Sequence, residues 1–198
     1  MTAVTPALRL PTLLGICGRA GSGKTTIARE FVAVHRAVPL ALAAPFKVRA
    51  VVAHGAPPAE VFGLVAKSEA TRAMLQRAGT EEGRDRHGLD WWIRHAEAEL
   101  IRLACYGVAL VVLDDIRFHN EADWFTALGG GPLVRLHRDG SGLTGAAALH
   151  PSEADIPDLR GARDVDTTGR TPDEVRRVIA DLLWPVGTDD FTTRRKDG

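Results

Sequence analysis

Cysteine is scarce in this chain: two in 198 residues, Cys17 and Cys105. Two sulfurs so far apart give neither a disulfide framework nor a metal cluster. Both read as small buried apolar residues in a reducing compartment, which makes the cytoplasm the expected location. Net charge is missing too, since 25 Lys plus Arg face 25 Asp plus Glu. A balanced chain has no broad basic field to hold a nucleic-acid polymer, so a charged partner should be small and met by a local cluster. No apolar run nears the roughly 20 residues that cross a bilayer, which excludes a helical membrane span. The N-terminal stretch has no signal-peptide pattern and runs directly into a glycine-rich loop. Internal repeats are absent.

What remains is an ordinary globular composition, 45% hydrophobic and 25% charged, enough for one domain with a real core. Leu13 to Cys17 is a short apolar run suited to a strand buried on both faces. Helical spacing follows over Thr25 to Val34, a short strand over Val38 to Leu42 and a helix over Phe46 to His54. Ser68 to Ala78 forms a further helix with Ser68 as N-cap. Gly79 to Asp90 is too rich in glycine and charge for a packed element and reads as a loop. A long helix then runs from Trp91 or Trp92 to about Cys105, and Val108 to Leu113 is the clearest strand. A helix over about Asn120 to Leu128 and a strand over Leu133 to His137 come next. Residues 138–162 are polar, Gly- and Pro-rich, and suggest a mobile flap. Thr171-Pro172-Asp173-Glu174 is a capping box that opens a last helix ending near Leu183. The alternation predicts an α/β fold with a central parallel sheet flanked by helices. The folded domain should occupy residues 1–186 and a frayed tail 187–198.

GRAGSGKT, Gly18 to Thr25, fits G-x-x-x-x-G-K-[ST] between a strand and a helix, the context that a phosphate-binding loop demands. Glycines let backbone N–H groups approach phosphate oxygens, and the helix that follows aims its positive end at them. Arg19, Ala20, Gly21, Ser22, Gly23, Lys24, Thr25 and Thr26 are therefore the expected ATP contacts. Lys24 would reach the β- and γ-phosphates and the Thr25 hydroxyl would ligate Mg²⁺. The strand LVVLDD, Leu110 to Asp115, supplies a carboxylate beside the loop. Asp115 is the residue assigned to catalysis and to the metal, although the pattern does not distinguish it from Asp114. A kinase acting on a monophosphate needs further cations, and Lys47, Arg49, Arg72, Arg77, Arg84, Arg86, Arg117, Arg135 and Arg138 are the candidates.

Five blocks, taken in order, resemble the bacteriophage deoxynucleoside monophosphate kinases: the phosphate loop, APFK at 44–47, RAMLQRAGTEEGRDRHGLDWW at 72–92, DDIRFHNE at 114–121 and HPSEADIP at 150–157. The resemblance spans about Leu13 to Leu183. It implies a P-loop kinase fold with a helical acceptor-binding insert over 46–105 and a short lid over 138–150. It also implies transfer of the ATP γ-phosphate, with Mg²⁺, to a deoxynucleoside monophosphate. By the same resemblance Lys47, Arg72, Thr80, Arg84, Trp92, Asp115, Arg117, His150 and Glu153 form the acceptor site, with Lys24, Asp115 and Arg117 catalytic. Trp91 or Trp92 could stack on a base or pack beside the deoxyribose. Two features differ from the family pattern. Thr25 follows the loop lysine where some relatives carry an acidic residue, and Asp166-Thr167-Thr168-Gly169 replaces an Asn-rich turn. A dephospho-coenzyme A kinase-like enzyme and an ATP-hydrolysing regulator or packaging motor are the alternatives. A homodimer is left open.

Overall fold

The computed structural model describes residues 8–77, 87–143, 154 and 156–185. Among the described residues, five strands build one sheet: β1 (Thr12–Cys17), β2 (Val38–Leu40), β3 (Leu110–Leu113), β4 (Leu133–His137) and β5 (Ala162–Asp166). Their order is β2-β3-β1-β4-β5 and every pairing is parallel. Parallel neighbours need crossover connections, and helices supply them. The helices are α1 (Lys24–His35), α2 (Ala44–His54), α3 (Pro58–Val61), α4 (Glu69–Arg77), α5 (Trp91–Cys105), α6 (His119–Leu128) and α7 (Pro172–Leu183). Among the described residues, no helix is long and apolar enough to cross a membrane.

Alternation along the strands splits the core into two layers. Leu14, Ile16, Leu110, Val112, Val134 and Leu136 face α1 and α7, where they bury Ile27, Phe31, Val175 and Ile179. Leu13, Cys17, Val111, Leu113 and Leu133 face the other way, onto Phe46, Ala50, Trp92, Ala96, Leu100, Ala122 and Phe125 of α2, α5 and α6. Gly15 lies in this second layer. A Cβ there would stand 2.9 Å from Phe125 Cζ and 3.0 Å from Ile116 Cδ1, so only glycine lets α6 approach β1 this closely. Cys17 belongs to the same packing, and burial pushes its thiol up to about 11. Cys105, at the end of α5, is exposed, which corrects the expectation that both cysteines are buried.

The element order follows the sequence reading, with local differences. β2 stops at Leu40, and α2 opens at Ala44 with Pro45 in its first turn, where a missing N–H costs nothing. α3 and the 3-10 turn Ile156–Asp158 were not foreseen. The polar stretch expected as a flap ends in β5, which pairs along the whole of β4. The capping box of α7 forms: Thr171 N–H donates to Glu174 Oε2 at 2.8 Å, and Glu174 N–H donates to Thr171 Oγ1 at 3.3 Å. Residues 144–150 of the expected lid and the tail 187–198 lie outside the described residues.

Candidate active site

β1 leads into the glycine loop at the carboxyl edge of the sheet. There the order reverses: β3 lies on one side of β1 and β4 on the other, which is where open α/β sheets bind ligands. Gly18 (φ 140), Gly21 (φ 83) and Gly23 (φ 97) hold backbone conformations that L side chains rarely adopt. At Gly18 the constraint is also steric, because a Cβ would meet the Leu136 carbonyl oxygen at 2.3 Å. Gly23 is the N-cap of α1 and has no side chain to satisfy the first-turn N–H groups. Those donors and the helix dipole face the loop, an arrangement built for an anion. The Lys24 ammonium folds back over the loop, donating to the Gly18 carbonyl at 2.6 Å and the Arg19 carbonyl at 2.9 Å.

Two outside segments brace the loop. Buried Thr167 donates its hydroxyl toward the Ser22 carbonyl at 3.1 Å and the His137 carbonyl at 3.0 Å. Gly142 N–H donates to the Ala20 carbonyl at 2.8 Å, seating the 138–143 turn on the loop. The Thr-Thr turn after β5 is thus a buttress of the phosphate loop, a role that its sequence did not signal.

The two aspartates after β3 separate clearly. Asp114 Oδ2 accepts the Thr25 hydroxyl at 3.1 Å. Asp115 turns away from Thr25: its Oδ1 accepts Leu42 N–H at 2.9 Å, and its Oδ2 accepts Ala43 N–H at 3.2 Å and pairs with Lys47 at 3.4 Å. Asp115 therefore pins the entry to α2 and holds Lys47. Asp115 was the expected metal ligand, whereas the carboxylate bonded to the Thr25 hydroxyl is that of Asp114. A threonine hydroxyl and a carboxylate are hard oxygen donors of the kind Mg²⁺ takes, so this pair fits the ion.

Among the described residues, cations from three other segments gather around Lys67, which also feels the Asp114 carboxylate. Burial and the like charges of Lys47, Arg72 and Arg117 push the Lys67 ammonium below the usual lysine value, while Asp114 pulls the other way. Lys47 comes from α2 and Arg72 from α4, whose first turn is capped by Ser68 Oγ accepting Thr71 N–H at 3.3 Å. Arg117 sits in the loop after β3. That loop is held by buried Glu121, whose Oε2 accepts Arg117 N–H at 2.8 Å and Phe118 N–H at 3.2 Å. Lys67 was not among the candidates, since a single lysine before a helix cap carries no sequence signal.

Other candidates are placed differently. Trp92 is 5% exposed and packs edge-on against Phe46 and Trp91. The structure packs it in the core, where the sequence reading expected it at the acceptor. The half-buried member of the pair is Trp91, stacked on exposed His87 with ring centroids 4.9 Å apart. Arg135 is held by both carboxylate oxygens of Asp164 and by the Ile156 and Pro157 carbonyls, so it ties β4 to β5. Thr80, Arg84, His150 and Glu153 lie outside the described residues.

No protein-family model matches the chain. A protein of Acanthamoeba polyphaga mimivirus described as a deoxynucleotide monophosphate kinase is 27% identical over 185 residues, covering 82% of this chain and 91% of that protein. Among solved structures, a Thermus thermophilus protein is 20% identical with TM-score 0.48 and covers 90% of this chain and all of its own. A Chloroflexus aurantiacus protein described as a kinase is 15% identical with TM-score 0.47, covering 88% of this chain and 99% of its own.

Proposed function

We propose that this chain is a kinase that transfers the γ-phosphate of ATP to the 5′-phosphate of a deoxynucleoside monophosphate. The observation that carries this reading is the gathering of Lys47, Arg72 and Arg117 around Lys67, an ammonium that also feels Asp114, the partner of Thr25. A nucleotidase-like loop alone would need cations only for one polyphosphate. A second group of cations, brought from α2, α4 and the β3–α6 loop, suits a second phosphate-bearing substrate facing the first. The similarity to the mimivirus protein supports the same class of acceptor.

In this reading the glycine loop and Lys24 hold the donor phosphates. Lys24 exchanges its two carbonyl partners for phosphate oxygens. Thr25 and Asp114 would hold Mg²⁺, which supplies charge neutralisation on the donor phosphates when bound. Arg72 and Lys47 hold the acceptor phosphate, with Asp115 fixing Lys47 in place. Arg117 spans the two phosphates and stabilises charge that shifts during transfer. No covalent intermediate is required, since alignment and preorganised charge are sufficient for this chemistry. The segment from α2 to α5 is the acceptor-binding insert, and the 138–143 turn belongs to a lid over the donor.

The deciding experiment is an ATP-coupled assay over the four deoxynucleoside monophosphates, their ribose counterparts and dephospho-coenzyme A, with Lys24→Ala as control. Turnover should require a deoxynucleoside monophosphate and should fall about 10²-fold or more in the variant. ATP hydrolysis indifferent to any added acceptor would refute the kinase reading.

A further inference from the structure

We infer that Lys67 is a phosphate-contacting residue of this site, placed where donor and acceptor phosphates meet; the inference rests on the kinase reading above. The position is built from both sides of the residue. Upstream, Arg29 of α1 donates to the Gly63 carbonyl at 2.5 Å and locks the segment after α3 onto the helix that opens with the phosphate loop. Downstream, Glu60 Oε2 accepts Ser68 N–H at 2.8 Å and the Ser68 hydroxyl at 2.7 Å, so the residue next to Lys67 is fixed as well. Between these anchors, a point one Cβ away from Gly63 lies 3.7 Å from Thr25 Cγ2 and 3.8 Å from Lys67 Nζ. The ammonium and the magnesium-side threonine thus flank the same small space.

The charge around Lys67 gives the second argument. Among the described residues, Lys47, Arg72 and Arg117 act on a half-buried ammonium and Asp114 opposes them. Like charges gathered in a partly desolvated space are unfavourable by themselves, and a bound polyanion offsets their mutual repulsion by attracting each of them. Lys47 is engaged with Asp115, whereas Lys67 borders the same space beside Gly63 as Thr25, the residue that ends the donor loop. It is therefore suited to contact the oxygens of the phosphoryl group in transit. Because the ammonium loses its proton more readily than an ordinary lysine, amine acylation also reads its environment directly.

The test uses the full chain, with Lys67→Met and Lys67→Arg, and two readouts. Kinetics with the best monophosphate should show kcat reduced 10- to 100-fold in Lys67→Met, the directly measured Kd for Mg·ATP within about threefold, and much of the loss restored in Lys67→Arg. In the wild type, acetylation at Lys67 followed by mass spectrometry should be suppressed at least fivefold by inorganic tripolyphosphate. A folded Lys67→Met with wild-type kcat overturns the proposal. So does equal acetylation with and without tripolyphosphate. If the wild type turns over no monophosphate, the kinase reading fails by itself; tripolyphosphate protection then still upholds the phosphate contact, and its absence still refutes it.

Discussion

Thr25 and Asp114 stand 89 residues apart in the chain, yet one hydrogen bond of 3.1 Å joins the hydroxyl of the first to the carboxylate of the second. It brings the start of α1 and the end of β3 together and separates two aspartates that are adjacent in sequence. Asp114→Ala should reduce kcat/KM about 100-fold and weaken the magnesium dependence, with little change in melting temperature. Asp115→Ala should do the reverse in stability, costing about 1–3 kcal/mol, because Leu42 and Ala43 lose their acceptor. Magnesium titrations and thermal melts on both variants decide it. A swap of the two phenotypes would overturn the assignment.

Trp92→Ala should destabilise the fold by roughly 3–5 kcal/mol, the usual result of removing a large buried aromatic. Its indole fills the space between Phe46 of α2 and Trp91 of α5. The KM for the monophosphate should stay within about threefold in the folded fraction. Urea melts beside steady-state kinetics measure both, and a selective rise in that KM with unchanged stability would return Trp92 to the substrate.

Arg117→Ala should lower kcat and kcat/KM by similar factors, on the order of 10². Arg117→Lys should restore little, since one ammonium does not reproduce a forked contact. Glu121→Ala is the companion variant. It leaves the Arg117 and Phe118 N–H groups without their acceptor and should lose both stability and kcat. If Arg117→Ala lowers the melting temperature while kcat of the folded fraction is unchanged, Arg117 is only a brace.

His35 supplies a pH dependence remote from the phosphate loop. Its ring stacks on Phe31 and lies against Trp184, with Arg176 Nη1 3.1 Å from Nε2. Burial, and then the Arg176 charge, lower its pKa from 6.5. Between the lowered value and 6.5 the unfolded chain binds more proton than the native one, so stability rises with pH in that window. It should be complete above pH 6.5 and decline as pH falls below it. Urea midpoints at about pH 7.5, 6.5 and 5.5 should show this decline, and His35→Phe should flatten it. A wild-type profile that is flat down to about pH 5.5 would exclude His35 as the cause.

The sequence announced those parts of the fold whose signal is local. Apolar runs such as LLGIC and LVVL mark central strands, and Thr171 to Glu174 spells its own cap. β5, ARDVD, did not announce itself, because it buries only Val165 fully and its identity comes from pairing with β4. The phosphate loop was legible since one local geometry serves it. Its neighbours were not: Asp114 and Asp115 differ only in which way a strand end turns, and Lys67 is set by anchors at Gly63 and Ser68. The burial of Trp92 was not legible because an aromatic at a helix start suits either a core or a ligand, and it is the packing of α5 on α2 that buries it.

The Thr167 hydroxyl, tied to the Ser22 carbonyl across 145 residues of chain, also sets an order in time. A ribosome releases the glycine loop early, but the threonine that holds its carbonyl and the β4 backbone that packs under Gly18 emerge much later. A nascent chain cut short of Thr167 carries the loop's letters without its buried support. The glycine loop therefore gains its complete support only at the end of synthesis, once the segment after β5 has emerged.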